Sequence, residues 1–371
     1  MTFDINKIVD SYKVHLVFFF LFFSNYFFLK TAIFAYVLAF FFIAINFRQI
    51  KLNSNEVFSV LIFFFFFSAV FIISSDKILT LKIFKYYFGF IIFLFFLKTK
   101  HKKIYFNINH IRYVFIFIII ESILINFFID SKYIYKVYHD AFFFNFYHRP
   151  SSFGGNASMT STLLICFFYF LKKHYLFNYK FIDYLLLILC VALLFSMTGF
   201  VILFLMFCFN FFDINKIKII SIINIFSLII IFFLFFFFLN YFFPYDSSSI
   251  ANYQKISFSY LYEVIEIKFS TLIYYIKNFD IYSISSLIGY ANQFSLLITN
   301  GESGLLDLYY SMGIVGFAIF FLIILIFKRN KDHSNLFLII ISSLHYPLIM
   351  SPVGQLFTAY FILSERKFYN N

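Results

Sequence analysis

The chain is 371 residues long, 63% hydrophobic and only 12% charged, with a formal net charge of +12. Apolar stretches spread along the whole of such a chain exclude a soluble domain folded around one core. The basic residues lie in short connectors between these stretches, which excludes the soluble basic face that a nucleic-acid-binding protein needs. The composition therefore predicts an all-α, polytopic helical bundle embedded in a membrane.

Helices that cross a bilayer need about 20 apolar residues each. On that basis we predict about 12 transmembrane helices in a single integral membrane domain, 1–371. The last two spans are short and could form one broken hairpin. The predicted spans are 14–29, 31–47, 56–74, 78–97, 111–129, 156–171, 182–196, 198–212, 217–239, 303–327, 335–351 and 353–364.

The orientation follows from the basic connectors, which favour the cytoplasmic side. With a cytoplasmic N-terminus every inside connector is basic, and Lys98–Lys103 is the strongest of them. Both termini are then predicted to lie in the cytoplasm, as in a multi-pass protein of the bacterial inner membrane. Cys166, Cys190 and Cys208 fall within predicted spans and are interpreted as small buried apolar residues.

Two segments on the predicted periplasmic side, about 130–155 and 240–301, are too long to be turns. Long loops in compact proteins are usually functional or disordered. The larger loop has an amphipathic pattern over 252–277, which predicts a helix lying on the outer membrane surface. That helix either covers the bundle or takes part in substrate binding.

Arg149 is the strongest candidate for a functional side chain. The other arginines lie at positions assigned to the cytoplasmic side, where topology explains them. It lies in an outer segment just before a span. A guanidinium suits phosphate, Gly154 and Gly155 permit a close backbone approach, and the following helix directs its positive end here. The pattern predicts an anion site, with His148 and Asn156 as further substrate-binding residues. The alternative is a contact with lipid headgroups.

Three of the charged residues inside predicted spans are candidates for a functional role. Lys82 and Lys85 share one face of the fourth span near its outer end, where they either snorkel to the surface or line an anionic pocket. Glu121 lies near the middle of the fifth span, where an acid is expected to have a basic partner. Lys85 is the nearest candidate. Glu121 is either half of a structural ion pair or a proton-relay acid.

Two residues are candidates for a general base at the outer face. Glu302 opens the tenth span, where an acid also complements the helix dipole. His345 falls in the outer third of the eleventh span, where a hydrogen-bonded structural histidine is equally common. The sequence has no metal-ligand constellation, glycine-rich nucleotide loop or serine elbow. Chemistry without a metal, a cofactor or ATP is therefore expected.

Several short segments together form a recognisable pattern: His148–Asn156, Phe195–Gly199, Leu287–Tyr290, Glu302–Leu305 and Gly313–Gly316. They occur in a chain with many spans, a large outer loop in the second half and a short final hairpin. In these segments and in the order of elements, the chain resembles the repeat-unit polymerases of O-antigen and capsule synthesis, the Wzy-type family within the O-antigen ligase-like superfamily.

The resemblance implies a glycosyltransferase that moves a growing glycan from undecaprenyl pyrophosphate to a lipid-linked repeat unit at the periplasmic face. The family places essential arginines in two outer loops. Arg149 matches the first, and Lys268 stands where the second is expected. The Ser-Arg motif of the family reads Ser196-Met197 here.

The implied partners are an undecaprenyl-pyrophosphate-linked oligosaccharide, membrane lipid and a chain-length regulator protein, without nucleic acid. The chemistry also fits the residues, because cations around a pyrophosphate leaving group stabilise its developing charge. Arg149, with Lys268 or Lys255 and with Lys85, would supply them. The attacking sugar hydroxyl would be served by a general base, for which Glu302 is favoured slightly over His345.

Two other functions compete with the polymerase. An O-antigen ligase shares the layout and the carrier but transfers the glycan to the lipid A core, and the sequence separates the two poorly. A flippase or transporter of lipid-linked oligosaccharide would have charged residues in many spans around a central cavity. Charges within the spans are few here, and the large loops lie on one face, which favours a one-sided enzyme.

Overall fold

The computed structural model describes the helical core of the chain. The described residues are 16–22, 31–74, 76–99, 108–124, 157–175, 180–194, 196–211, 304–328, 339–340, 342–343 and 348–363, with 152, 262, 266 and 287–289. All regular secondary structure in these ranges is helical and none of it is strand. The all-α prediction is therefore confirmed for the described part of the chain.

Within the described ranges the helices follow the predicted apolar spans closely, while the span predicted at 217–239 lies outside those ranges. Residues 16–22 are helical, and short 3-10 turns occur at Phe47–Gln49 and Leu348–Met350. The α-helices are α1 (Thr31–Ile45), α2 (Ser54–Ile73), α3 (Lys77–Lys98), α4 (Ile108–Ile123), α5 (Ala157–Tyr175), α6 (Phe181–Leu193), α7 (Met197–Phe211), α8 (Gly304–Phe327) and α9 (Pro352–Leu363).

Two details differ from the prediction. The span predicted at 303–327 is not one continuous helix, because α8 is broken at Gly313, whose φ is 67° and ψ is −177°. The span predicted at 335–351 ends in the 3-10 turn Leu348–Met350. Ser351 then caps α9 by accepting a hydrogen bond from the Gly354 amide at 2.9 Å, and Pro352 occupies the first helical position, where no amide donor is needed.

One helix among the described residues, α2, is long and apolar enough to cross a membrane by length and composition. Its mean hydropathy is 2.6, and only 28% of its most apolar 18-residue window is buried. A core helix of a soluble protein would be mostly buried instead. A single such helix does not establish twelve spans, so that number remains a prediction.

The chain divides into two compact units. The first consists of residues 1–107, 173–176 and 271–371, and the second of 108–172 and 177–270. The residues of the predicted single domain, 1–371, thus fall into two groups, each with dense contacts among its own residues.

Phenylalanine packing holds the first unit together around α3. Helix α3 contacts α1, α2 and α9, and α2 contacts α8. The rings of Phe67 and Phe84 stack with their centroids 3.8 Å apart, which joins α2 to α3. The ring of Phe320 on α8 meets Tyr87 and Phe90 of α3 edge-on, at 5.5 and 5.6 Å. Such edge-to-face pairs are favoured by the ring quadrupoles.

A polar contact joins three helices of the first unit within this aromatic packing. Gln355 of α9 is 1% exposed. Its Oε1 accepts a hydrogen bond from the Tyr36 hydroxyl of α1 at 2.6 Å, and its Nε2 donates to the Ile349 carbonyl at 2.8 Å. Gly89 of α3 lies directly against the amide, so that a Cβ there would clash with Oε1. The absence of a side chain at Gly89 therefore lets α3 and α9 approach each other.

The second unit is organised by contacts of α6 with α4 and α7. Cys190 of α6 lies 3.4 Å from the Phe115 carbonyl of α4. Cys166 and Cys190 are both free and buried, which confirms their interpretation as small buried residues. Cys208 lies within α7, and its side chain is outside the described part of the structure.

Candidate functional site

One of the segments that carry the family resemblance, Phe195–Gly199, meets the start of α5 in the second unit. Ser196 lies between α6 and α7, and Ser158 and Ser161 lie in the first turns of α5. The Ser161 hydroxyl is 2.9 Å from that of Ser196, and the Ser158 hydroxyl is 3.4 Å from it. The amino-terminal ends of α5 and α7 are therefore adjacent.

The hydroxyls at this point are buried and close together. Ser158 is 8% exposed, while Ser161 and Ser196 are not exposed at all. Ser196 caps α7 by accepting the Gly199 amide hydrogen bond at 3.0 Å. A Cβ at Gly199 would lie 2.5 Å from the Ser161 hydroxyl oxygen, so glycine is required for the close approach. The positive ends of two helices favour negative charge near this end of the unit, while the hydroxyls bond to one another and to the Ser158 carbonyl.

The segment before α5 is described only at Ser152. This residue is buried, 1% exposed, and has a φ of 50°. A positive φ is uncommon for any residue with a Cβ. The chain therefore makes a constrained turn four residues before Asn156. Arg149, His148 and Asn156 themselves lie outside the described residues.

Two other segments of the resemblance meet in the first unit, where α8 breaks. A Cβ on Gly313 would clash with the carbonyl group of Leu287 and lie 2.5 Å from the Gly289 nitrogen. Gly289 also has a positive φ, 96°. The segment Leu287–Gly289 therefore packs with its backbone directly on the backbone of the broken helix. Positive φ values at both glycines explain why these positions lack side chains.

The predicted cations of α3 are described in part. Lys85 is exposed, with its Nζ 5.4 Å from the centroid of the Tyr86 ring. Lys82 lies on the same helix, and its side chain is outside the description. Glu121 is half-buried on α4, in the other unit from Lys85. The pairing of Glu121 with Lys85 therefore stays a prediction.

The remaining candidates cannot be placed. The described part of the chain does not include Glu302, His345, Lys255 or Lys268, or most of the two predicted loops 130–155 and 240–301. Within the described ranges no group of three or more His, Cys, Asp or Glu side chains could hold a metal ion.

Sequence reasoning missed two ion pairs at helix ends. In the first unit, Lys98 pairs with Glu56, with both residues under 9% exposed, and its Nζ lies 4.9 Å from the Phe327 ring centroid. Glu56 also accepts the Asn53 amide hydrogen bond at 2.9 Å, so one carboxylate both caps α2 and binds the lysine. The Glu at the third position of α2 is a sequence signal that could have indicated the cap.

In the second unit, Arg112 of α4 holds Asp183 of α6 in a two-pronged contact. Nε lies 2.6 Å from Oδ1, and a terminal guanidinium nitrogen lies 3.0 Å from Oδ2. Asp183 also accepts the Lys180 amide hydrogen bond at 2.8 Å. Topology alone explains a basic residue at Arg112, and the structure adds a specific partner 71 residues away.

Comparison with protein-family models, with curated proteins and with solved structures finds no significant match to this chain.

Proposed function

We propose that this chain is a polytopic membrane glycosyltransferase that polymerises lipid-linked glycan repeat units. Its donor would be a glycan on polyprenyl pyrophosphate, and its acceptor the terminal sugar of a second carrier-linked unit. The observation that carries the proposal is the meeting of the α5 and α7 amino-terminal ends at Ser158, Ser161 and Ser196. Helix α5 begins directly after the segment that contains Arg149. The arginine predicted to bind an anion and the adjacent helix ends therefore belong to neighbouring parts of the sequence.

The exposed surfaces of the helices support the membrane part of the proposal. Helix α2 exposes Phe65 by 74% and Ile72 by 75%, and α6 exposes Phe181 by 78%. Further exposed aromatic and aliphatic side chains lie on α1 and α4. Soluble monomers rarely have contiguous apolar patches larger than a few hundred Å². Contact with lipid accounts for these faces, since lipid tails are as apolar as the side chains.

The ion pairs support the alternation of the predicted spans, because each pair joins helix ends that the alternation assigns to one side. The alternation of spans assigns the start of α2 and the ends of α3 and α8 to the cytoplasmic side. These are the ends that meet at Glu56, Lys98 and Phe327. In the second unit, the starts of α4 and α6 are likewise assigned to one side, and they meet at Arg112 and Asp183.

The reaction would be a displacement at the anomeric carbon of the donor sugar. The acceptor hydroxyl oxygen forms the new bond to that carbon, and the bond from the carbon to the pyrophosphate oxygen breaks. The carrier pyrophosphate leaves with the electron pair, stabilised by Arg149 and by Lys268 or Lys255. The proton of the acceptor hydroxyl passes to Glu302, or to His345 as the second choice.

The proposal is tested with purified protein in detergent and lipid-linked repeat units that serve as both donor and acceptor. We expect a ladder of longer glycans from the natural protein, and a loss of about 10²–10³-fold in rate for Arg149→Ala, because one donor to the developing charge is removed. Arg149→Lys should retain part of the rate, since it keeps the charge without the planar fork.

Arg48→Ala is the matched control, because Arg48 is exposed in the α1–α2 connector and is assigned to the opposite side. It should elongate glycan at the natural rate. A full ladder from Arg149→Ala would remove Arg149 from the mechanism. Failure of the natural protein to elongate in detergent, with transfer seen only to a lipid A core acceptor, would favour the ligase. No transfer to either acceptor would favour the transporter.

A further inference from the structure

A small cavity lies in the first unit between α8, α9 and the described residues 339, 340, 343, 348 and 349. Its walls are mainly apolar, with Phe320, Phe321 and Leu348 among them, and two hydroxyl side chains, Ser343 and Thr358, line it as well. Its volume is about 10 Å³. A cavity of that size has room for about one water molecule and none for a sugar, a phosphate group or a lipid chain.

The two hydroxyls differ in their bonding. Ser343 donates its proton to the Ile339 carbonyl at 2.8 Å, which leaves the lone pairs of its oxygen available as acceptors. Thr358 is 0% exposed, and its oxygen has no hydrogen-bond partner among the described residues. A buried hydroxyl without a partner is costly, and native structures usually satisfy such a group with protein or ordered water.

We propose that this cavity is a binding site for one structural water that bridges Thr358 and Ser343. The Thr358 hydroxyl donates to the water oxygen, and the water donates one of its protons to the Ser343 oxygen. The Thr358 hydroxyl, the water and the Ser343 oxygen then make no more hydrogen bonds than their protons and lone pairs allow. Gln355 lies one helical turn before Thr358 on α9, so the bridged water extends a buried polar face of this helix into the interior of the unit. The proposal is independent of the glycosyltransferase chemistry.

Thermal unfolding of the purified full chain, followed by circular dichroism, tests the bridge. Thr358→Val replaces the hydroxyl by a methyl group of the same shape, so it removes the bridge without creating a cavity. We expect its Tm to fall by about 2 °C. Ser343→Ala should also lower the Tm. The double variant should fall by clearly less than the sum of the two, because both single changes break the same bridge.

Ser342→Ala is the matched control. Ser342 is buried and donates to the same Ile339 carbonyl at 2.8 Å, but it does not line the cavity. Its effect should add to that of Thr358→Val. A Tm that is unchanged or raised in Thr358→Val would mean that the Thr358 hydroxyl binds no water, and would overturn the proposal. Additive effects of Thr358→Val and Ser343→Ala would overturn it as well.

Discussion

Single residues decide how closely the helices of the first unit approach one another. Gly89 has no side chain, and the space this leaves is filled by the Gln355 amide, which in turn binds the Tyr36 hydroxyl. The three residues lie on three different helices. An amide buried among phenylalanine side chains is tolerated because its donor and its acceptor both have partners.

We predict that Gly89→Ala destabilises the protein by about 2 kcal/mol, because the added methyl group displaces the Gln355 amide and overpacks the contact. Tyr36→Phe should cost about 1 kcal/mol, since it removes one hydrogen bond and leaves the shape unchanged. Both values are measured by thermal or denaturant unfolding in detergent. In a Gln355→Ala background the cost of Gly89→Ala should largely disappear, because the displaced group is gone. An equal cost in both backgrounds would contradict the contact.

The elements of the fold were largely predictable, while their interruptions were not. Runs of phenylalanine, isoleucine and leucine define α2, α3 and α9 to within a few residues, since a helix in apolar surroundings needs a continuous apolar stretch. The break at Gly313 was missed because Gly313-Ile314-Val315-Gly316 remains apolar throughout. Hydropathy does not report a positive φ. The break occurs where the backbone contacts Leu287–Gly289, which is distant in sequence.

We predict that Gly313→Ala destabilises the protein by about 2 kcal/mol or more, with a fall of about 3 °C in Tm. A Cβ at this position is strained by the φ of 67° and also clashes with the Leu287 carbonyl group. Circular dichroism on heating measures the change. Ile314→Ala, at an exposed neighbouring position, is the control and should change the Tm far less. Equal Tm values for Gly313→Ala and the natural protein would refute the contact.

At the scale of the whole molecule, composition predicts an all-helical protein, and within the described ranges the structure agrees. The candidate site was predictable only in part. Arg149 is predicted from its isolated charge and lies outside the described residues, whereas Ser158 and Ser161 were missed because serine is common in helices and carries no charge. Their importance depends on the approach of Ser196, which lies 38 and 35 residues further along the chain. A single sequence does not report such proximity.

The predicted orientation is tested by labelling single cysteines in a variant without Cys166, Cys190 and Cys208. We expect cysteines at positions 149 and 268 to react with an impermeant maleimide added outside the membrane, since both predicted loops are periplasmic. A cysteine in place of Lys328 should react only after the membrane is made permeable, because basic connectors stay on the cytoplasmic side. Labelling of positions 149 and 268 from opposite sides would end the one-sided proposal.

The backbone contact between Gly313 and Leu287–Gly289 has a genetic consequence. The group that a new methyl at position 313 would strike is a main-chain carbonyl, which every amino acid carries. No exchange of the side chain at position 287 can remove it. A search for suppressors of Gly313→Ala should therefore yield true revertants, or changes that move the whole segment such as deletions, and no compensating substitution at position 287.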